Sequence, residues 1–470
     1  MALSSALFSG ISGLTTLGNA MQIIGNNIAN VNTVGFKGST FSFQDLLSQS
    51  ISTLSGASQV GRGTALGDIY ASFEQGSFES TSNPTDLAIG GEGFFALREQ
   101  NNDNLYYSRA GNFRFNKDGY LVNPEGYIVQ GWGLDENGED VGSVTDILLS
   151  SFTSPPQETD HVQAIVNLDS DGSNNTSGSD DALAALWKSN GGNLGENAYE
   201  YQTTLKIYDS LGSTHDITIY FDKADTPYAY EFIVTCNPSE DNRAEDEDFG
   251  EGCAGLLARG LVHFNSGSGV ISNLELWQTD PSDGSDVAQT VPDDLSDGYF
   301  TFAPTFTGSS MNVELDFGSR YDGSRWVNSS LSTTQFARAS TTTFQSANGY
   351  GAGDLQGVNV DVDGIITGTY SNGQLVPLYR VALAKFQNVQ GLFKEGSNLF
   401  RQTKESGAAI TNKPGTNGLG SIAPNALEQS NVDIANEFVR MITTQRGFQA
   451  NSKIITVTDQ MLSELINLKR

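Results

Sequence analysis

At 470 residues the chain is too long for a single hydrophobic core, and 52 glycines with only 17 % charged residues suit short strands and tight turns. A formal net charge of −30 argues against nucleic-acid binding, because nothing supplies a phosphate-neutralising basic face. Its only histidines, His161, His215 and His263, lack the i, i+4 spacing of a helical zinc pair, so no catalytic residue, metal ligand or cofactor is assigned. The acidic charge is uneven: residues 151–330 hold 30 acidic against 7 basic side chains, whereas residues 430–470 hold 4 against 5. Such a surface repels its copies and favours solubility; the other reading is a divalent-ion or cationic-partner site.

Residues 3–31 read as a helix with a coiled-coil-like seam: Leu7, Leu14, Met21 and Ile28 form one set, and Leu3, Leu17, Ile24 and Val31 another. Gly10, Gly13, Gly18 and Gly25 each cost such a helix about 1 kcal/mol relative to Ala, so it should be marginal alone. Its N-terminus lacks the positive region of a Sec signal, Lys37 being the first charged residue, and no apolar run is long enough to span a bilayer. Residues 34–70, rich in Ser, Thr, Gly and Gln, read as an extended connector. Residues 71–150 read as strands and turns; Phe113 to Val122 is strand, Asp-Gly turn, strand.

Pro155-Pro156 marks a change of texture, and residues 151–332 read as an inserted acidic region of one large or two small all-β domains. Thr203 to Phe221 has the pattern of a hairpin, and Tyr228 to Thr235 and Met311 to Phe317 alternate well. Asp169 to Asn175 lacks the glycine and glutamate of a calcium loop and reads as a turn. Cys236 and Cys253 flank an acidic loop and are either a disulfide or two inert thiols. Residues 333–403 return to the first β texture, and 404–429, with Pro414 and Pro424, read as a second connector. Ser430 opens the last helix with Asp433 as its capping-box partner. Its stripe is Ile434, Met441, Phe448, Ile455 and Leu462, with Phe438 and Ile466 beside it, and Lys469 and Arg470 lie at its negative end.

The fold class is therefore mainly β with terminal α-helices. Nested, discontinuous β domains separate two helices, 1–33 and 430–470, that pair as a coiled-coil-like inner domain. The insert should sit farthest from the termini. Neither helix buries its stripe alone, which points to assembly rather than catalysis.

Several blocks then carry a resemblance. Gly25 to Lys37, including Asn26, Asn27, Asn30, Asn32, Gly35 and Phe36, resembles the N-terminal signature of bacterial flagellar rod and hook proteins. Asp86 to Phe95, Arg109 to Phe113, and Asn431 to Lys453 resemble later blocks of that family, in order, covering about 1–135 and 333–470. The insert at 157–332 matches nothing in that pattern. The length and insert favour a hook subunit over a distal rod subunit; a secreted adhesin is the alternative from another class. The resemblance implies a non-enzymatic subunit outside the cell, in the hook, exported without a cleaved Sec peptide. It would polymerise with itself into a curved, flexible tube. Its other partners would be the distal rod, hook cap and hook–filament junction proteins and the export apparatus, with no nucleic acid and no membrane insertion. Gln445, Ser452 and Asp459 interrupt the C-terminal seam with polar groups, which would let contacts shift as the tube bends.

Overall fold

The computed structural model describes residues 2–46, 49–53, 56–100, 102–135, 138–149, 152–176, 178–245, 252–280, 284–291, 295–306 and 310–467. Lys469 and Arg470 lie outside this set, as do most of the acidic loop before Cys253 and the side chains of Leu3 and Ile466. Among the described residues there are three α-helices, α1 (Ala2–Ala29), α2 (Ala182–Ser189) and α3 (Ile434–Asn467). The chain divides into one unit of residues 1–152 with 355–470, and a second of residues 153–354.

In the first unit, a mixed pattern of burial explains the sequence texture. Strand Phe94–Arg98 is covered on both faces: Phe95 and Leu97 join a core with Leu87, Val129 and Val381, while Phe94 and Ala96 join another with Tyr107, Phe386 and Phe400. That two-sided burial is why the run reads as continuous rather than alternating. Its antiparallel neighbours are Ile128–Leu134, Leu105–Ser108 and Leu383–Lys385. Phe113 to Val122 forms the expected tight hairpin, with Asn116 Oδ1 accepting from the Asp118 and Tyr120 N–H groups and Gly119 at φ +83°.

Both expected connectors take other forms. Ser39–Asp45 pairs antiparallel with Thr64–Ala71, and Gln49–Thr53 with Gly56–Val60, so the described residues between 39 and 71 form a hairpin arm rather than an extended link. In the second connector, Ile410–Asn412 pairs with Leu383–Lys385, Ser421–Pro424 with Leu87–Gly90, and Ala426–Glu428 with Phe78–Ser80. These three short strands finish edges of the β unit. The expected boundary at 332/333 also moves to 354/355, because Thr334–Phe336 and Thr341–Ala347 both pair with His161–Asp169 of the second unit. Helix α3 starts at Ile434 with Asp433 as its cap, accepting from the Ala435 and Asn436 N–H groups, so Ser430 is not the cap. Asn431 is held outside the helix by its own hydrogen bonds, described below, which delays the start.

The second unit is one two-sheet β domain. A six-stranded antiparallel meander runs in sequence order from Tyr201–Tyr208 to Asp286–Gln289. The other sheet contains Phe300–Phe302, Val313–Asp316, His161–Asp169, Thr334–Phe336 and Thr341–Ala347. Along Tyr201–Tyr208 the inward residues alternate, Thr203, Leu205 and Ile207, as a half-buried strand requires. Both sheets contribute to one core, with Val166, Phe232, Phe302 and Phe317 among its members. Helix α2 packs Leu183 and Trp187 on Ile233 and Leu256.

Candidate functional site at the meeting of the chain ends

Helices α1 and α3 pack against each other, antiparallel, through small and polar groups. Gly10 lies against Ile455 and Gly13 against the Asn451 side chain, where an added Cβ would come within 2.8 Å of it. Gly447 in turn faces Leu17. Gly10 and Gly13, two of the four glycines that weaken α1 as an isolated helix, thus permit close approach of the pair, whereas Gly18 and Gly25 face open space. Buried on α1 are Gly10, Gly13, Thr16, Ala20, Ile24 and Asn27; buried on α3 are Glu437, Thr444 and Thr458, a seven-residue stripe with half-buried Asn451 between them.

Most of the expected seam lies off this contact. Of the described seam side chains only Ile24 is buried. Leu7, Leu14, Leu17, Met21, Ile28, Val31, Met441, Ile455 and Leu462 are half-buried, while Ile434, Phe438 and Phe448 are exposed. The polar interruptions Gln445, Ser452 and Asp459 are exposed as well. The apolar stripe of α3 therefore has no full partner among the described residues.

At the inner end of the helix pair a buried ion cluster ties both chain ends to the β unit. Lys37 Nζ donates to Glu428 Oε1 at 2.6 Å, with neither side chain exposed, and also to the Glu74 carbonyl at 2.7 Å. Arg109 approaches the other Glu428 oxygen at 3.4 Å, donates to the Gly91 carbonyl, and lies over the Phe94 ring. The Gly76 N–H completes the carboxylate's partners at 2.9 Å. Burial pulls the Lys37 ammonium below its ordinary value and the Glu428 charge opposes that pull; burial acts on Arg109 in the same direction. Two cations on one carboxylate satisfy a set of charges that would be costly if any were missing.

The remaining signature residues build the turn leading into this cluster. Gly35 donates to the Glu428 carbonyl at 2.7 Å and sits at φ +69°, with an added Cβ only 2.5 Å from the Ala110 nitrogen. Asn27 clamps α1 to the arm: its Nδ2 donates to the Ser39 carbonyl and its Oδ1 accepts the Ser39 N–H. Asn30 donates to the Asn26 carbonyl and accepts from Thr33, Phe36 lies beneath Lys394, and Asn32 is exposed. On the C-terminal side Asn431 accepts the Gly38 N–H and donates to the Ser72 carbonyl. Sequence reasoning missed Glu428. The signal was indirect: Lys37 and Arg109 are isolated cations in apolar, Gly-rich blocks, and a buried cation demands an anion.

The other titratable groups are scattered. His161 faces Glu314, His215 lies between Glu240 and Asp209 and stacks on Phe306, and His263 faces Glu275. Cys236 and Cys253 are buried and not joined in a disulfide; burial pushes the Cys236 thiol up to about 12. Asp169 to Asn175 is a turn, with Asp169 Oδ1 accepting the Asp171 N–H.

Four family models match along the chain in order. They are the flagella basal body rod protein model over residues 7–37, the flagellar hook protein FlgE/F/G D1 domain over 88–172, the flagellar basal body protein FlaE D2 domain over 167–350, and the flagellar basal body rod FlgEFG protein C-terminal model over 423–468. The flagellar hook protein FlgE of Borreliella burgdorferi is 33 % identical over 99 % of both chains. The chain belongs to the flagellar hook protein family. Other hook-family relatives include FlgE of Treponema pallidum, 31 % identical over 99 % of both chains, and FlgE of Escherichia coli, 30 % identical over 99 % of this chain and 100 % of that one. The insert, without a counterpart in the sequence reading, is the part matched by the D2 model, and the ion cluster joins three hook-family blocks that lie far apart in sequence.

Proposed function

We propose that this chain is the structural subunit of a flagellar hook, and that it polymerises through its terminal helices into a flexible curved tube carrying torque from rod to filament. The observation that supports this most is the pairing of full-length likeness to hook proteins with a helix pair whose apolar stripe is only partly covered among the described residues. Helix α1 has no charged residue, and 430–470 is nearly balanced, so many copies can pack there although the whole chain carries −30. The acidic second unit then forms a wet outer surface on which neighbours slide. Of the seam residues, Leu3, Leu7, Leu14, Leu17, Met21, Ile28, Val31, Ile434, Phe438, Met441, Phe448, Ile455, Leu462 and Ile466 supply the contacts between copies, while buried Ile24 packs inside one molecule. Rod, hook cap, junction and export proteins are its further partners, and the hook outside the cell is its location.

Removing the chain from its host tests this. Basal bodies with complete rods and no hooks are expected. Basal bodies that lack the distal rod would overturn the reading in favour of a rod subunit, and intact hooks would overturn it altogether.

A further inference from the structure

A groove of about 460 Å³ opens between α1 and the hairpin arm, lined by Phe8, Ile11, Ser12, Leu46 and Arg62. Phe8 is 67 % and Ile11 50 % exposed, an unusual load of apolar surface for the first turns of a helix. Arg62 is its one charge, and among the described residues Arg62 makes no ion pair. A surface of matching chemistry exists on the last turns of α3. There Ile454 and Met461, 46 % and 51 % exposed, lie seven residues apart on one flank, with exposed Glu464 three residues beyond Met461 on the same side. Glu464 likewise makes no ion pair among the described residues.

The two surfaces cannot meet within one molecule. Gly10 and Gly13 turn toward α3, so Phe8 and Ile11 lie on the other side of α1. The contact of Gly10 with Ile455 nevertheless puts both surfaces at the same end of the helix pair, hence at the same level along it. Two different surfaces, one on the outer face of α1 and one on a flank of α3, at one level make a head-to-tail contact, which builds rings or open helical assemblies rather than closed dimers.

Resting on the hook reading, we infer that the groove of one copy receives the Ile454–Met461 flank of the next copy's α3, with Arg62 paired to Glu464 across the contact. The occupant is a second copy because the chain itself carries the complementary apolar pair and the complementary charge, each exposed and with no ion pair or covering partner among the described residues.

The test uses cells in which this chain is the only hook subunit. Hooks are isolated from cells carrying Ile11→Cys with Met461→Cys and oxidised. A ladder of covalent oligomers larger than dimers is expected, with no ladder from either single variant or from Ile11→Cys with Phe448→Cys, on the opposite flank. A ladder from the Phe448 pair instead, or only monomers from the Met461 pair, overturns the contact. Charge exchange gives a second measure: Arg62→Glu and Glu464→Arg should each cut hook yield, and together restore it. A double variant no better than the singles overturns the pairing. If the unsubstituted chain builds no hooks, the hook reading falls as well; hooks that form but link through other positions sink this contact alone.

Discussion

Replacing Glu428 by Gln should loosen the meeting of the chain ends. Glu428 is fully buried and balances Lys37 at 2.6 Å and Arg109 at 3.4 Å. Removing one member of a buried ion cluster costs about 3–5 kcal/mol, because the others stay buried without compensation. The upper end can be worked separately. Lys37 can escape its buried charge by releasing a proton, and at pH 7 that costs the distance from its ordinary 10.5 at about 1.36 kcal/mol per pH unit, about 4.8 kcal/mol. The part of the penalty that comes from Lys37 should therefore saturate near 5 kcal/mol, with the loss of Arg109's carboxylate partner added to it. The sign of its pH dependence follows. In the variant, folded Lys37 binds fewer protons than unfolded Lys37 below the ordinary value, so the loss shrinks as pH rises from 7 toward 10. Hydrogen exchange, read peptide by peptide, separates the two units. Peptides over 34–38, 74–77 and 428–431 should open about 100-fold or more often in the variant, while the Ala229–Thr235 strand of the second unit stays unchanged. Opening within about twofold of the parent at all three segments would refute the assignment of the cluster as the clasp.

Three further outcomes are expected. Gly35→Ala, forced into a left-handed backbone with its Cβ 2.5 Å from Ala110 N, should destabilise the first unit by roughly 1–3 kcal/mol in urea unfolding; an unchanged midpoint would refute the close approach. Burial pushes the Glu231 carboxyl up to about 8 against the Leu183 and Ala184 N–H groups, so its stabilisation is full below its ordinary 4.5 and is lost as pH rises through about 8. Exchange protection of the second unit should accordingly fall between pH 5 and 9, and Glu231→Gln should flatten that slope; identical slopes would exclude Glu231 as its source. Replacing exposed Gln445 and Ser452 by Leu should stiffen hooks, measured as bending under flow, and unchanged stiffness would count against polar groups easing the sliding of contacts.

What the sequence reveals here follows the physics of each element. Strand Tyr201–Tyr208 is legible because one face meets the core and the other meets solvent, and the helices are legible from their repeating apolar positions. The arm at 39–71 is not, since its strands are exposed or half-buried throughout the described positions and leave no alternating pattern. Strands such as Ala426–Glu428 are three residues long and exist because an edge is waiting for them. Periodicity locates the stripes on α1 and α3 but does not say which face meets which; Gly10, Gly13 and Asn451, not the leucines, decide the contact inside one molecule. Glu428 escaped because a single acid in a polar stretch looks like any solvated residue until the cations that need it are known.

The manner in which the second unit is spliced into the first has an evolutionary consequence. Its chain enters through Thr153–Ser154 and leaves through Gly353–Asp354, and these two stretches are paired side by side. In the first unit the flanking residues are already bonded, Leu355 N–H to the Phe152 carbonyl at 2.7 Å. A gene could therefore trade, enlarge or erase everything between those two points and ask only that a hairpin turn close the gap. The second unit is thereby free to diverge, while the ends that meet at Glu428 stay under a single, unrelaxed constraint.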